Sequence, residues 1–250
     1  MTQRLEGKTA LITGGTTGIG FTTAKQLLEE GARVAIVGQN ESRVAAAKAS
    51  LGNEVVAMCA DVSSPEEMTR VATQLKQDFS KLDIVFANAG IAKPMPLAEI
   101  DESNIDSQLN VNLKGVIYTV QKTLPLMNNP SSIILTSTTM THKGISGMSV
   151  YAATKAAVRS LARTMSSELI DRGIRVNVIS PGLIETPIYQ KLGLPQEAVE
   201  QWAGELLKTV PAARFGQTSE IAKAVAFLAS DDSSYMLGEN VTIDGGVATL

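Results

Sequence analysis

Apolar and polar positions along the chain follow two alternating rhythms. Short runs rich in β-branched residues occur near 8–12, 33–37, 54–58, 83–86, 132–136, 174–179 and 240–243, and the segments between them carry apolar residues three and four apart. The first rhythm predicts strands, the second amphipathic helices. Strands with so few polar positions are buried on both faces. The alternation therefore predicts an α/β fold: a doubly wound parallel sheet of about seven strands with helices on both faces. Ligands of such sheets bind at the carboxyl ends of the strands. Polar or glycine residues gather at five of those ends: a glycine-rich turn after the first strand, Asp61 and Val62 after the third, Asn88 to Gly90 after the fourth, Ser137 and Thr138 after the fifth, and Pro181 and Gly182 after the sixth. These ends are expected to converge on one crevice.

The 250 residues, 44% of them hydrophobic, suffice for one substantial core, so residues 1–250 are expected to form a single domain. No Pro- or Ser-rich linker, low-complexity tract or repeat interrupts them. The apolar runs are too short to cross a bilayer, and MTQRLEGK lacks the apolar core of a signal peptide; a soluble, cytoplasmic protein is expected. A net charge of −3 offers no electrostatic attraction for nucleic acid or an anionic membrane, and neither is expected as a partner. Cys59 is the only cysteine, which excludes an internal disulfide and a cysteine metal cluster; core packing is its expected role. His142 is the only histidine, so no metal site is expected, and a serine–histidine hydrolase would require it to meet Ser137 or Ser149.

Two local patterns carry chemistry. KTALITGGTTGIGFTTAKQLLEEGARVAIVG reads as strand, glycine turn, helix and second strand. Glycines let the backbone approach a pyrophosphate, and a helix start offers unpaired N–H groups, so this Rossmann-like β-α-β unit predicts phosphate binding. In SVYAATKAAVRSLARTM, Tyr151 and Lys155 stand four apart on an Ala-rich helix and project from one face. An ammonium beside a phenol lowers the phenol's pKa, which suggests general acid–base chemistry with Tyr151 as the titrating group.

TGGTTGIG at 13–20, ANAG at 87–90, VNLKG at 111–115, Tyr151 with Lys155, and PGLIET at 181–186 together resemble the classical short-chain dehydrogenase/reductase family. The resemblance extends to PAARFGQTSEIAKAVAFLAS at 211–230 and GENVTIDGG at 238–246, and so spans nearly the whole chain. It implies a nicotinamide-dependent interconversion of a small-molecule carbonyl and alcohol. The alternative is a non-catalytic NAD(P)-binding sensor or scaffold that keeps the fold.

By resemblance, Gly14, Thr16, Thr17, Gly18, Ile19 and Gly20 hold the cofactor at the glycine turn and Asp61 and Val62 contact adenine. Asn88, Ala89 and Gly90 line the middle of the site, or Asn88 mainly fastens neighbouring strands. Pro181, Gly182, Ile184 and Thr186 lie along the nicotinamide end. A carboxylate at the end of the second strand would select NAD(H) by binding the ribose hydroxyls. Gly38 stands there instead, which leaves room for a 2′-phosphate, followed by Gln39 where NADP-using relatives often carry arginine. Thr16, Thr17, Gln39, Asn40 and Arg43 can still hold a phosphate; NADP(H) is favoured, with NAD(H) the alternative.

The family's catalytic serine corresponds to Thr138 here, a retained hydroxyl with a stiffer χ1. Ser137 is the substitute if Thr138 cannot turn, although adjacent strand residues face opposite sides. Lys155 is implied to lower the Tyr151 pKa and reach the nicotinamide ribose. Asn112 is implied to hold a water leading from Lys155 towards solvent. Residues 187–210, with Tyr189 and Trp202, form a lid over the substrate or an apolar helix packed on the body. A homotetramer is implied, pairing helices near 100–127 and 149–171.

Overall fold

A computed structural model describes residues 3–187 and 196–250. Seven strands, β1 (Thr9–Thr13), β2 (Arg33–Gly38), β3 (Val56–Cys59), β4 (Leu82–Ala87), β5 (Met127–Thr136), β6 (Ile174–Pro181) and β7 (Asn240–Ile243), form one sheet in the order β3-β2-β1-β4-β5-β6-β7. Every pairing is parallel. The expected strands are all present; β5 begins earlier than its apolar run, because Met127 already pairs with Leu82.

The helices are α1 (Gly18–Glu29), α2 (Glu41–Leu51), α3 (Pro65–Phe79), α4 (Glu102–Leu109), α5 (Gly115–Thr123), α6 (Ser149–Leu169), α7 (Gln196–Leu207) and α8 (Thr218–Ala229). Alternation along the strands explains why both faces are covered. Leu11, Ala35, Val37, Val85, Ile133 and Val176 pack with residues of α3, α5 and α6. Their neighbours Ala10, Ile12, Val34, Ile36, Phe86 and Ile134 pack with α1 and α8 on the other face. A side chain as large as Phe86, with no exposed surface, contributes about 1.5–3 kcal/mol by leaving water.

The expected long helix near 100–127 contains one π-turn, Asn110–Lys114, between α4 and α5. Such local widenings are frequent at functional sites. Cys59 corrects an expectation: it is exposed, not core. It ends β3, the edge strand of the sheet, whose residues Val56 to Met58 are themselves only half-buried. Among the described residues no helix is long and apolar enough to cross a membrane.

Candidate active site

The strand order reverses at β1, whose neighbours are β2 on one side and β4 on the other. The chain leaves β1 and β4 in opposite directions there, which opens a crevice at their carboxyl ends. A cleft of about 400 Å³ occupies it, lined by Gly14, Thr16, Thr17, Gly18, Ile19, Gly38, Gln39, Asp61, Val62, Asn88, Ala89, Gly90 and Thr186 among others. Gly14 has φ +65°, and a Cβ there would lie 2.9 Å from the Ala89 Cα, so only glycine lets the turn meet the end of β4. Helix α1 starts at this cleft, and its N-cap Thr17 makes no side-chain capping bond. Its first amides are therefore left as donors facing the cleft, the arrangement an anionic phosphate group fits.

Of the residues predicted to hold the cofactor, two line neither this cleft nor the pocket beside it. Gly20 is buried behind the turn, against the Gly14 carbonyl. Asn40 uses its side chain to cap α2, its Oδ1 accepting from the Arg43 N–H at 2.9 Å. Arg43 does line the cleft, with Val37, Ala60, Ile91, Val111 and Pro187. Asn88 proves to be a fastener as well as a wall: its Nδ2 donates to the Thr13 carbonyl at 3.1 Å, and its N–H donates to Thr13 Oγ1 at 3.1 Å. The Asp61 carboxylate accepts from Gln39 Nε2 at 2.7 Å and from the Ser63 N–H at 2.8 Å. Gly38 lines the cleft, but the position its missing Cβ would take is filled. Thr16 packs into it, and a Cβ at position 38 would lie 2.5 Å from Thr16 Cγ2.

A second pocket of about 130 Å³ adjoins the first and shares Ile19, Asn88, Gly90 and Thr186 with it. It contains Thr138, Tyr151, Lys155, Pro181, Gly182 and Ile184, with Ala92, Met140 and Met148 as apolar wall. Helix α6 brings Tyr151 and Lys155 to one face, as their spacing requires. Thr138 is buried and extended, accepts from the Met140 N–H at 3.3 Å, and lines the same pocket as Tyr151, whose pKa its hydroxyl lowers. Ser137 also lines the pocket, but its hydroxyl is engaged, donating to the Lys155 carbonyl at 2.9 Å. With its hydroxyl so engaged and His142 exposed on the following turn, no serine–histidine pair forms from these two. No metal-ligating cluster occurs among the described residues.

The electrostatics differ from the expectation. Tyr151 is half-buried at the pocket wall, and desolvation pushes its pKa up to about 12, opposed by the Thr138 hydroxyl. The Lys155 ammonium is itself enclosed, 2% exposed, and burial pushes it down to about 8. Its Nζ lies 6.0 Å from the Tyr151 ring centre and donates to the Thr136 carbonyl at 2.9 Å. Desolvation, not the lysine charge, sets the phenol's acidity.

Asn112 lies in the π-turn with no exposed surface and lines neither pocket. Its Nδ2 donates to Ile91 O at 2.9 Å and to Thr154 Oγ1 at 3.2 Å, and its Oδ1 accepts from the Ile91 N–H at 2.8 Å. A Cβ at Gly90 would lie 3.2 Å from both Asn112 Oδ1 and Lys155 Nζ, so the glycine keeps the space between them open. A third cavity, of about 270 Å³, continues from the second past Met140, Gly182 and Leu183 and is lined by Lys143, Ile145, Leu206, Thr209 and Val247. Within the expected lid, α7 spans Gln196–Leu207 and carries Trp202, whereas Tyr189 lies outside the described residues.

Residues 14–248 match the family described as enoyl-(acyl carrier protein) reductase. The chain is similar to oxidoreductase asL5 of Sarocladium schorii, 43% identical over 99% of this chain and 98% of that protein. It is similar also to 3-oxoacyl-(acyl-carrier-protein) reductase of Thermotoga maritima, 37% identical over 98% and 99%. Among solved structures, levodione reductase superposes with a TM-score of 0.92 at 34% identity over 98% of both chains. A short-chain type dehydrogenase/reductase from Mycobacterium marinum gives 0.90 at 28% identity, over 98% and 97%.

Proposed function

We propose, because the chain belongs to the classical short-chain dehydrogenase/reductase family, that it interconverts an uncharged carbonyl compound and its secondary alcohol, using NADP(H) in preference to NAD(H). One observation carries the reading: the Tyr151 phenol and the buried Thr138 hydroxyl line one pocket that opens beside the glycine-turn cleft, and the two cavities share four wall residues. When bound, the nicotinamide supplies or accepts the hydride at the carbon that changes oxidation state.

The chain's own residues do the rest. Tyr151, protonated at neutral pH because its pKa stands at about 12, holds the proton at Oη and passes it to the carbonyl oxygen during reduction. Positioned proton transfer of this kind contributes about 10²–10⁴-fold. Thr138 orients and polarises the same oxygen through its hydroxyl. The Lys155 ammonium would bind the ribose hydroxyls of the cofactor, and Asn112 holds Ile91 in the segment after β4 that lines the cleft. The first-turn amides of α1, with Thr16 and Thr17, hold the phosphates.

The preference for NADP(H) is supported by the lack of a carboxylate at the end of β2 and by Arg43 on the cleft wall beside Gln39. Apolar residues in the walls of the second and third cavities, with Lys143 the only charged side chain of the third among the described residues, support a compact, uncharged substrate. We read the chain as one domain acting as a cytoplasmic homotetramer; residues 188–195 of the expected lid lie outside the described residues. Exposed Ile105, Tyr235, Leu237 and Leu250 are consistent with subunit contact, and light scattering at four times the chain mass checks it. The decisive test of function is loss of reduced-cofactor absorbance against a varied carbonyl panel, in wild type and Tyr151→Phe. Turnover should vanish in the variant with cofactor affinity within a few fold; more than about a tenth of the wild-type rate would refute the role of Tyr151.

A further inference from the structure

Two enclosed amides take no part in these roles. Asn104 and Gln108 are 4% and 0% exposed, although they sit in a short polar helix, ESNIDSQL. Buried amides are costly unless their donors and acceptors are met. With Asn112 they recur every fourth residue through α4 into the π-turn, so three amides project from one side.

Together the three take up every main-chain polar group of Ile91 and Lys93. Asn112 binds the N–H and C=O of Ile91 at 2.8 and 2.9 Å. Gln108 Oε1 accepts from the Lys93 N–H at 3.2 Å, and the Lys93 carbonyl accepts from Asn104 Nδ2 at 3.1 Å and Gln108 Nε2 at 3.4 Å. Gln108 Nε2 also donates to Asn104 Oδ1 at 2.9 Å, joining adjacent members of the row. An extended segment presents the polar groups of residues i and i+2 along one edge, so the amide row acts as a neighbouring strand would. Ala92, held between the two clamped residues, packs with Met148 against Tyr151 and lines the pocket. Two residues beyond Lys93, the Met95 N–H donates to the Gly147 carbonyl at 2.9 Å, tying the same wall to the segment before α6.

We propose that Asn104 and Gln108 are positioning residues that fix the Ala92 wall beside Tyr151 and so govern which carbonyls reach the phenol. The inference rests on the oxidoreductase reading. Displacement of a reacting group by about 1 Å can cost about 10²-fold, so slack at Ala92 should appear in turnover and selectivity before it appears in cofactor binding.

The test compares wild type, Gln108→Leu and Asn104→Ser. Three quantities are read: kcat/KM for a compact and a bulky carbonyl, cofactor Kd, and amide exchange at 91–95. In Gln108→Leu, kcat/KM for the compact carbonyl should fall about tenfold (about 1.4 kcal/mol). The compact-to-bulky ratio should change about fivefold, the Lys93 amide should exchange faster, and cofactor Kd should stay within about threefold. Asn104→Ser, which removes one donor to Lys93 and the acceptor of Gln108 but leaves both Gln108 bonds to Lys93, should move the same quantities less and serves if the leucine variant does not fold. Faster exchange with unchanged selectivity would overturn the proposal, as would cofactor affinity falling in step with kcat/KM. A wild type that binds reduced cofactor and reduces no carbonyl would instead overturn the oxidoreductase reading.

Discussion

Lys155→Met should cost activity and add stability, because the ammonium is held where water cannot solvate it. The side chain is 2% exposed, and the hydrogen bond the structure gives its Nζ goes to the Thr136 carbonyl. Burial brings its pKa from the ordinary 10.5 to about 8; at about 1.4 kcal/mol per pH unit, keeping the charge there at neutral pH costs about 3 kcal/mol. Removing the lysine leaves the Thr136 carbonyl without that donor, a loss of about 1–2 kcal/mol. The net expectation at neutral pH is a gain of about 1–2 kcal/mol, or about 2–8 °C in Tm for a chain of this size.

The pH dependence supplies the control. A lysine whose folded pKa is depressed favours the native state most above its unfolded value of 10.5, and that stability is lost as pH falls through about 8. Wild-type stability should therefore rise between about pH 8 and about pH 10, and the methionine variant should lack the rise. Tyr151 acts in the opposite sense at higher pH: its contribution is complete below 10 and lost as pH climbs to about 12, so the comparison is made below 10. Urea midpoints at about pH 7 and about pH 9.5 measure both effects. A variant less stable than wild type at neutral pH, or a wild type whose stability does not change over this interval, would refute the reasoning.

Gly38→Asp alone should raise KM for both cofactors several-fold, because its Cβ would press on Thr16 Cγ2. Paired with Thr16→Gly, it should swing the kcat/KM ratio towards NAD(H), and a clean swing from the single variant would show that Thr16 yields freely. Gln39→Arg should strengthen NADP(H) by about threefold or more, roughly 0.7 kcal/mol, since a guanidinium binds phosphate bidentately. An unchanged cofactor ratio would place position 39 away from the 2′-phosphate. Cys59, exposed at the end of β3, should react completely with a thiol reagent in the native protein; reaction only after unfolding would return it to the core.

Regular patterns made much of this molecule legible in one dimension. Parallel strands buried on both faces must be nearly continuous apolar runs, so Leu11 and Ile12 or Val85 and Phe86 declare the sheet before any contact is known. Turn glycines and the four-residue spacing of Tyr151 and Lys155 are likewise local, and they located the cleft and the phenol. Other features depend on what lies across the fold. Cys59 reads as core until the strand order puts β3 at the edge. Gly38 lines the cleft, yet only the turn shows Thr16 packed where a side chain at 38 would start. The Tyr151–Lys155 pair reads as a phenol acidified by a cation, yet enclosure raises the one and lowers the other, because desolvation depends on every surrounding element and not on spacing in a helix. Asn104 and Gln108 look like ordinary polar residues of a surface helix; only the path of residues 91–93 past that helix turns them inward. Sequence by itself determined the periodic and local parts of this protein. The tertiary structure decided the rest, because burial and hydrogen-bond satisfaction depend on partners distant along the chain.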